Sequence, residues 1–124
     1  LCTAVETNLP VVWIVWNNFA WGAIRDLQYG LFDGREIGTA FYKGQSGERY
    51  NPDFAAWARA CGADGYTVTR PQDLGATVQQ ALKNQRPCVI DVHVDADVRP
   101  PSTGTWQLPP IPYKEPAYGK PFKA

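Results

Sequence analysis

Apolar residues gather early in the chain into one unbroken run, Val11-Val-Trp-Ile-Val-Trp16, opened by Pro10 and stopped by Asn17 and Asn18. A short run that is β-branched and aromatic, with no polar alternation, predicts a strand buried on both faces, as in a parallel sheet. Before it, Leu1, Ala4 and Val5 fall at helical spacing without a start signal, and Asn8 and Pro10 close the segment. Residues 1–7 therefore read as the last turns of a helix already under way, which suggests a piece of a longer chain. After the Asn pair a helix is expected from Trp21-Gly22, with Ala23, Ile24 and Leu27 on one face and Gly30 as its stop.

From Leu31 to Tyr50 neither the helical nor the strand period holds. A loop this long is usually functional or mobile, and a plain surface loop is the alternative. Asn51 as cap and Pro52 at the first position then predict a helix whose apolar face is Phe54, Trp57, Ala58 and Cys61, ended by Gly62. Tyr66 to Thr69 reads as a short strand. Pro71 opens a further helix with Leu74, Val78, Ala81 and Leu82 inward, and Gly75 within it costs about 1 kcal/mol against Ala. Pro87 precedes a last strand, Cys88 to Val94. Helices and strands that alternate in this way predict an α/β fold: a parallel sheet with flanking helices and right-handed crossovers. From Pro100 the pattern breaks. Seven prolines between Pro100 and Pro121 exclude regular helix or central strand, yet Trp106, Tyr113, Tyr118 and Phe122 lie among them. Residues 1–100 thus read as one α/β unit. Residues 101–124 read as an extended tail lying on a surface, with a flexible tail as the alternative.

The 124 residues make one domain's worth of chain, and 44% hydrophobic with 19% charged is a globular composition. The formal net charge is zero, so no basic excess draws nucleic acid or an anionic membrane, and neither is expected as a partner. Cys2, Cys61 and Cys88 cannot all pair, and no C-x-x-C spacing suggests zinc. This usage suits a reducing, cytoplasmic setting. No apolar run approaches membrane-spanning length, and no secretory signal is visible.

In an open parallel sheet, ligands bind just past the carboxyl ends of strands, beside helix starts. Asn17 and Asn18 stand there, with amide oxygens able to face a hard cation. Taken alone, such a pair is most often only a turn. The order of segments says more. Leu1-Cys-Thr-Ala-Val-Glu-Thr-Asn-Leu-Pro-Val-Val12, Asn17-Asn18 and Gly22-Ala-Ile-Arg-Asp-Leu-Gln28 are followed by Asn51-Pro-Asp-Phe-Ala-Ala-Trp-Ala-Arg-Ala-Cys-Gly62 and Arg86-Pro-Cys-Val-Ile-Asp-Val-His-Val94. Together they resemble the second half of the diphosphate-binding domain in thiamine-diphosphate-dependent enzymes of the acetolactate synthase type.

That resemblance implies thiamine diphosphate and Mg2+ as cofactors and leaves FAD open for the parent protein. It implies Asn18 as a side-chain metal ligand and Ala20 as a carbonyl ligand. Asn17 would brace the turn, and Gly22 would let the helix approach the diphosphate. Phe19, Trp21, Ala23, Ile24 and Leu27 would border the substrate end. The cofactor-binding set is thus Asn17, Asn18, Phe19, Ala20, Trp21, Gly22 and Ile24. The family's second metal ligand, the Asp of a Gly-Asp-Gly segment, is expected upstream of Leu1, because too few residues precede Asn17 to hold it. The family's catalytic Glu belongs to another domain, and Glu6, Glu36, Glu48 and Glu115 do not match its motif. No catalytic residue is therefore assigned in this chain, and alone it should be inactive. His93 alternates with Val92 and Val94 and reads as structural or partly exposed.

The implied reaction makes or breaks a C–C bond next to a carbonyl, on a 2-oxo acid or diketone. The implied partners are the other domains of the parent and a second subunit, in a dimer or tetramer. Leu27 and Ala23 stand where such synthases often carry an aromatic and a Met, which leaves a lyase or hydrolase open. A non-catalytic α/β binding module, or a structural chain that lost the cofactor, is the rival reading.

Overall fold

A computed structural model describes residues 1–98. The proline- and aromatic-rich stretch, and with it the expected boundary at residue 100, lies outside the described residues. The elements follow in the order α1 (Cys2–Glu6), β1 (Val12–Asn17), α2 (Gly22–Leu31), α3 (Phe54–Ala60), β2 (Asp64–Val68), α4 (Pro71–Asn84) and β3 (Cys88–His93). The three strands form one parallel sheet in the order β1-β3-β2. The α/β expectation holds, and β3, last in sequence, is central.

Side chains alternate across the sheet, so each strand feeds two cores. Cys88, Ile90 and Val92 join Val68 and Ala81 on one face, with Val12, Leu74 and Val78 packed against them from β1 and α4. Val89 joins Ala58 and Ala63 on the other, with Leu1, Val5, Val15 and Phe54. Helix α4 therefore covers one face, and α1 with α3 the other. Cys88 is fully buried, and that burial, with the Asp64 charge second, pushes its thiol up to about 11. It acts as a small hydrophobe.

The run Val11 to Trp16 does form a strand, but not one buried on both faces. Trp13 and Ile14 are partly exposed, and Trp16 is 62% exposed. Among the described residues only β3 has a strand on each side, and its residues from Cys88 to Val92 are buried throughout. An apolar run identifies a strand; its neighbours decide its burial. Five smaller expectations also shift. The cap of α3 is Asp53, whose carboxylate accepts the Ala56 N–H at 2.7 Å, and not Asn51. Its buried face is Ala55 and Ala58 rather than Trp57, because β2 passes too close for a large side chain. A Cβ on Gly65 would lie 2.1 Å from the Ala55 carbonyl oxygen. In α4, Ala81 points inward while Leu82 is exposed, and in α2 Gly30 lies inside the helix, which ends at Leu31. Strand β2 begins at Asp64, earlier than the apolar pattern suggests, because pairing with β3 and not hydrophobicity sets its start.

The two glycines differ sharply in what a methyl group would meet. Gly75 is exposed in α4, with nothing within 4 Å of its absent Cβ. Gly75→Ala should stabilise the fold by about 1 kcal/mol. Gly65→Ala should destabilise it by about 1–3 kcal/mol through overpacking against α3. Urea titration of both variants beside wild type checks the opposite signs.

Candidate functional site

The parallel register brings the ends of β1 and β3 together: Asn17 pairs with His93. Asn17 is 3% exposed, and both ends of its amide are occupied. Its Nδ2 donates to Asp91 Oδ1 at 3.0 Å. Its Oδ1 accepts the Phe19 N–H at 3.2 Å and Asn51 Nδ2 at 2.6 Å. Asp91, 1% exposed, lies on the α3 side of the central strand. His93 Nε2 stands 3.6 Å from Asp91 Oδ2, and its ring meets Phe19 edge-on at 5.0 Å. Its side chain is one-third exposed, the partly exposed position expected from the pattern.

Beyond Asn17 the chain turns sharply. Phe19 takes φ +55, a left-handed conformation that costs a non-glycine residue about 1–2 kcal/mol. Asn18 Oδ1 accepts the Ala20 N–H at 3.2 Å, closing an Asx turn. The oxygen has a second lone pair. Asn18 Nδ2 lies only 2.6 Å from where a Gly22 Cβ would be, so the amide occupies the room that glycine leaves. The loop from Leu31 onward folds back to support the turn. Ala20 bridges Ala40 through two bonds made by its neighbours: Trp21 N–H to Thr39 O at 2.7 Å and Phe41 N–H to Phe19 O at 3.2 Å. The Ala20 carbonyl takes no part in that bridge. Gln28 holds the same loop, with its amide bonded to the Ile37 N–H and carbonyl and to the Thr39 hydroxyl.

Helix α2 then starts at Gly22. Trp21 is its cap residue and no side chain caps it, so the first amide groups of the helix point outward without intrahelical acceptors. They open on a recess of about 420 Å³ lined by Ala20, Trp21, Gly22, Ala23 and Ile24. Such a helix start favours an anion. The apolar face of α2, Ala23, Ile24 and Leu27, is exposed, and the buried residue is Arg25. Its guanidinium donates to the Ala96 carbonyl and pairs with Asp97 at 3.5 Å, anchoring α2 to the segment after β3.

Among the described residues no group of three or more His, Cys, Asp or Glu side chains could hold a metal ion. The donors present at the turn are neutral oxygens, the type that Mg2+ accepts alongside phosphates and water. One lone pair of Asn18 Oδ1 and the Ala20 carbonyl fit as part of such a set.

The seven residues singled out at the turn therefore sit together, with different roles. Asn18, Ala20 and Gly22 form the turn and helix start, exposed Trp21 and Ile24 flank the recess, and Phe19 carries the strained backbone. Asn17 points into the protein and not toward the recess. Sequence reasoning missed Asp91, Asn51, Gln28 and Arg25. A carboxylate inside the apolar run Cys88–Val94 was the available signal for Asp91.

The model of the thiamine pyrophosphate enzyme, C-terminal TPP binding domain, matches residues 1–92. The chain belongs to the thiamine pyrophosphate enzymes. Thiamine pyrophosphate is another name for thiamine diphosphate, and the three-stranded parallel sheet with its helices is part of that TPP-binding fold. The chain is 34% identical, over 94 residues and 76% of its length, to an acetolactate synthase large subunit of Parasynechococcus marenigrum. A sulfoacetaldehyde acetyltransferase of Alcaligenes xylosoxydans xylosoxydans is 30% identical over 74% of the chain. A putative acetolactate synthase large subunit of Mycobacterium tuberculosis is 33% identical over 84%. The chain spans 14%, 15% and 17% of these three relatives.

Two substitutions probe this TPP-binding domain. Gly22→Ala would push on the Asn18 amide, which is flexible, so the melting temperature should barely move while thiamine diphosphate affinity in the intact enzyme falls several-fold. Unchanged affinity would show that the Asn18 placement is irrelevant to binding. His93→Gln should leave turnover within a few-fold of wild type, and a loss of about a thousandfold, the scale of an acid–base residue, would contradict the structural role.

Proposed function

We propose that this domain supplies part of the Mg2+ and diphosphate site of an enzyme that makes or cleaves a C–C bond next to a carbonyl, with a 2-oxo acid or diketone as substrate. The observation that carries this reading is the Asx turn at the end of β1. It brings the Asn18 amide oxygen, the Ala20 carbonyl and the uncapped start of α2 into one stretch of chain. Asn18 and Ala20 would each give one oxygen to Mg2+. The amides around Gly22 would face the diphosphate, and glycine there admits both the Asn18 amide and a close anion. Thiamine diphosphate, when bound, would serve as the electron sink for a carbanion at the substrate's former carbonyl carbon. The chain's own contribution is to hold and orient, with Trp21 and Ile24 as apolar walls that restrict water.

The sequence given has no Gly-Asp-Gly segment, and among the described residues no group of three or more carboxylate, His or Cys side chains gathers to hold a metal. The remaining metal ligand and the Glu that protonates the cofactor's ring would come from elsewhere in the parent protein or from a second subunit. The exposed apolar face of α2, with Ile24, Leu27 and Leu31, suits contact with such partners.

Asn18→Ala tests the reading. In the intact enzyme with magnesium present, thiamine diphosphate affinity should fall by more than about tenfold, the lower end of what even indirect metal partners contribute. The fold should lose no more than about 1 kcal/mol, as for other changes away from a packed core. Equal affinities for variant and wild type would mean that Asn18 is only a turn residue.

A further inference from the structure

Asn17 is placed too deep to touch a ligand in the recess beside α2, yet the turn depends on it. Its amide oxygen takes the N–H of Phe19, the residue in the left-handed conformation, at 3.2 Å. An amide can flip, and the flipped form would set an NH2 group against that N–H and lose the bond. What prevents the flip is behind Asn17. Asp91 Oδ1 lies 3.0 Å from Nδ2, and an ionised carboxylate accepts only. In front, Asn51 donates to Asn17 Oδ1 at 2.6 Å. An acceptor on one side and a donor on the other allow a single orientation. Asp91 comes from the central strand, and Asn51 from the loop that also pairs with Ala20.

We propose that Asp91 and Asn51 are positioning residues for the cofactor site. They lock the Asn17 amide and thereby the backbone that presents Asn18 and Ala20. The inference rests on the reading of Asn18 and Ala20 as holders of Mg2+ and diphosphate. Neither Asp91 nor Asn51 touches the cofactor in this scheme. Their effect passes through one hydrogen bond, from Phe19 to Asn17.

The test uses the intact enzyme and a thiamine diphosphate titration with magnesium, with a melting curve for each variant. Asn17→Asp keeps both acceptor bonds, to Phe19 and Asn51, and replaces the donor facing Asp91 by a second carboxylate oxygen that repels it. It should weaken cofactor affinity by about 10- to 100-fold, the range for partners that orient a metal's ligands. Asp91→Asn can still accept from Asn17 but no longer excludes the flipped amide, and with Asn51 left as the one lock it should lower affinity by a few-fold, less than Asn17→Asp. The double variant Asn17→Asp with Asp91→Asn reverses donor and acceptor across the same contact, and it should recover near wild-type affinity. Asn51→Ala, at a half-buried loop position, keeps the inference testable should Asn17→Asp fail to fold, and it should lower affinity several-fold.

A merely structural role predicts lower melting temperatures with unchanged affinity in the folded protein, and no recovery in the double variant. Either result overturns the proposal, as does unchanged affinity in Asn51→Ala. Absence of magnesium-dependent binding in the wild type would instead overturn the underlying assignment of the site.

Discussion

A carboxylate almost sealed from water inside a sheet must find its donors there, or the cost of burial is several kcal/mol. Asp91 meets this demand with the Asn17 amide, one strand away at 3.0 Å, while His93 Nε2, two residues along its own strand, stands 3.6 Å from its other oxygen. The requirement shapes more than one bond. It fixes β1 against β3 in the register that sets Asn17 beside His93 at the strand ends. It orients an amide whose other end holds the Phe19 backbone in a conformation that few residues adopt unaided. The turn, the start of α2 and the recess beside it all follow from where that backbone goes. The apolar cores on the two faces hold the sheet together; this one polar contact aims its edge.

Much of this was legible in the sequence because the relevant signals are local. Helix and strand alternation requires only periodicity and the prolines at Pro10, Pro52, Pro71 and Pro87, and it predicted the order of elements found. The Asn pair was visible as a break after an apolar run, and its placement at a strand's carboxyl end follows from parallel topology alone. What was not legible depends on partners distant in sequence. Trp13, Ile14 and Trp16 look like core residues until the strand order places β1 at the edge. Asn51 has the identity of a helix cap and sits just ahead of a helix. Its amide is nonetheless claimed by Asn17, 34 residues earlier, and Asp53 caps instead. Arg25 carries a charge that periodicity assigns to solvent, yet a carbonyl and a carboxylate after β3 draw it inward.

Helix α2 joins these two kinds of information. Its apolar residues marked the helix but not what holds it. That apolar face is open, and the helix is secured by polar contacts: Arg25 to the segment after β3, and Gln28 to the loop. Hydrogen bonds and ion pairs fix angles more tightly than hydrophobic contact, which is non-directional. A helix whose N-terminus is to face a ligand is well served by that kind of anchoring, and its apolar face stays available for other surfaces.

The outer edge of β1 has a further consequence, for handling rather than for chemistry. Among the described residues only β3 pairs with this strand, so its far side offers a row of backbone groups flanked by Trp13, Ile14 and Trp16. A flat, charge-free edge of this kind is a template for strand addition by another chain. It carries none of the usual safeguards, since no lysine, proline or glycine interrupts it from Val11 to Trp16. When this segment is produced apart from the surfaces that normally meet it, colloidal behaviour and not folding stability will set the concentration at which it can be handled, and a charged residue at an outward position of β1 is the remedy that the geometry suggests.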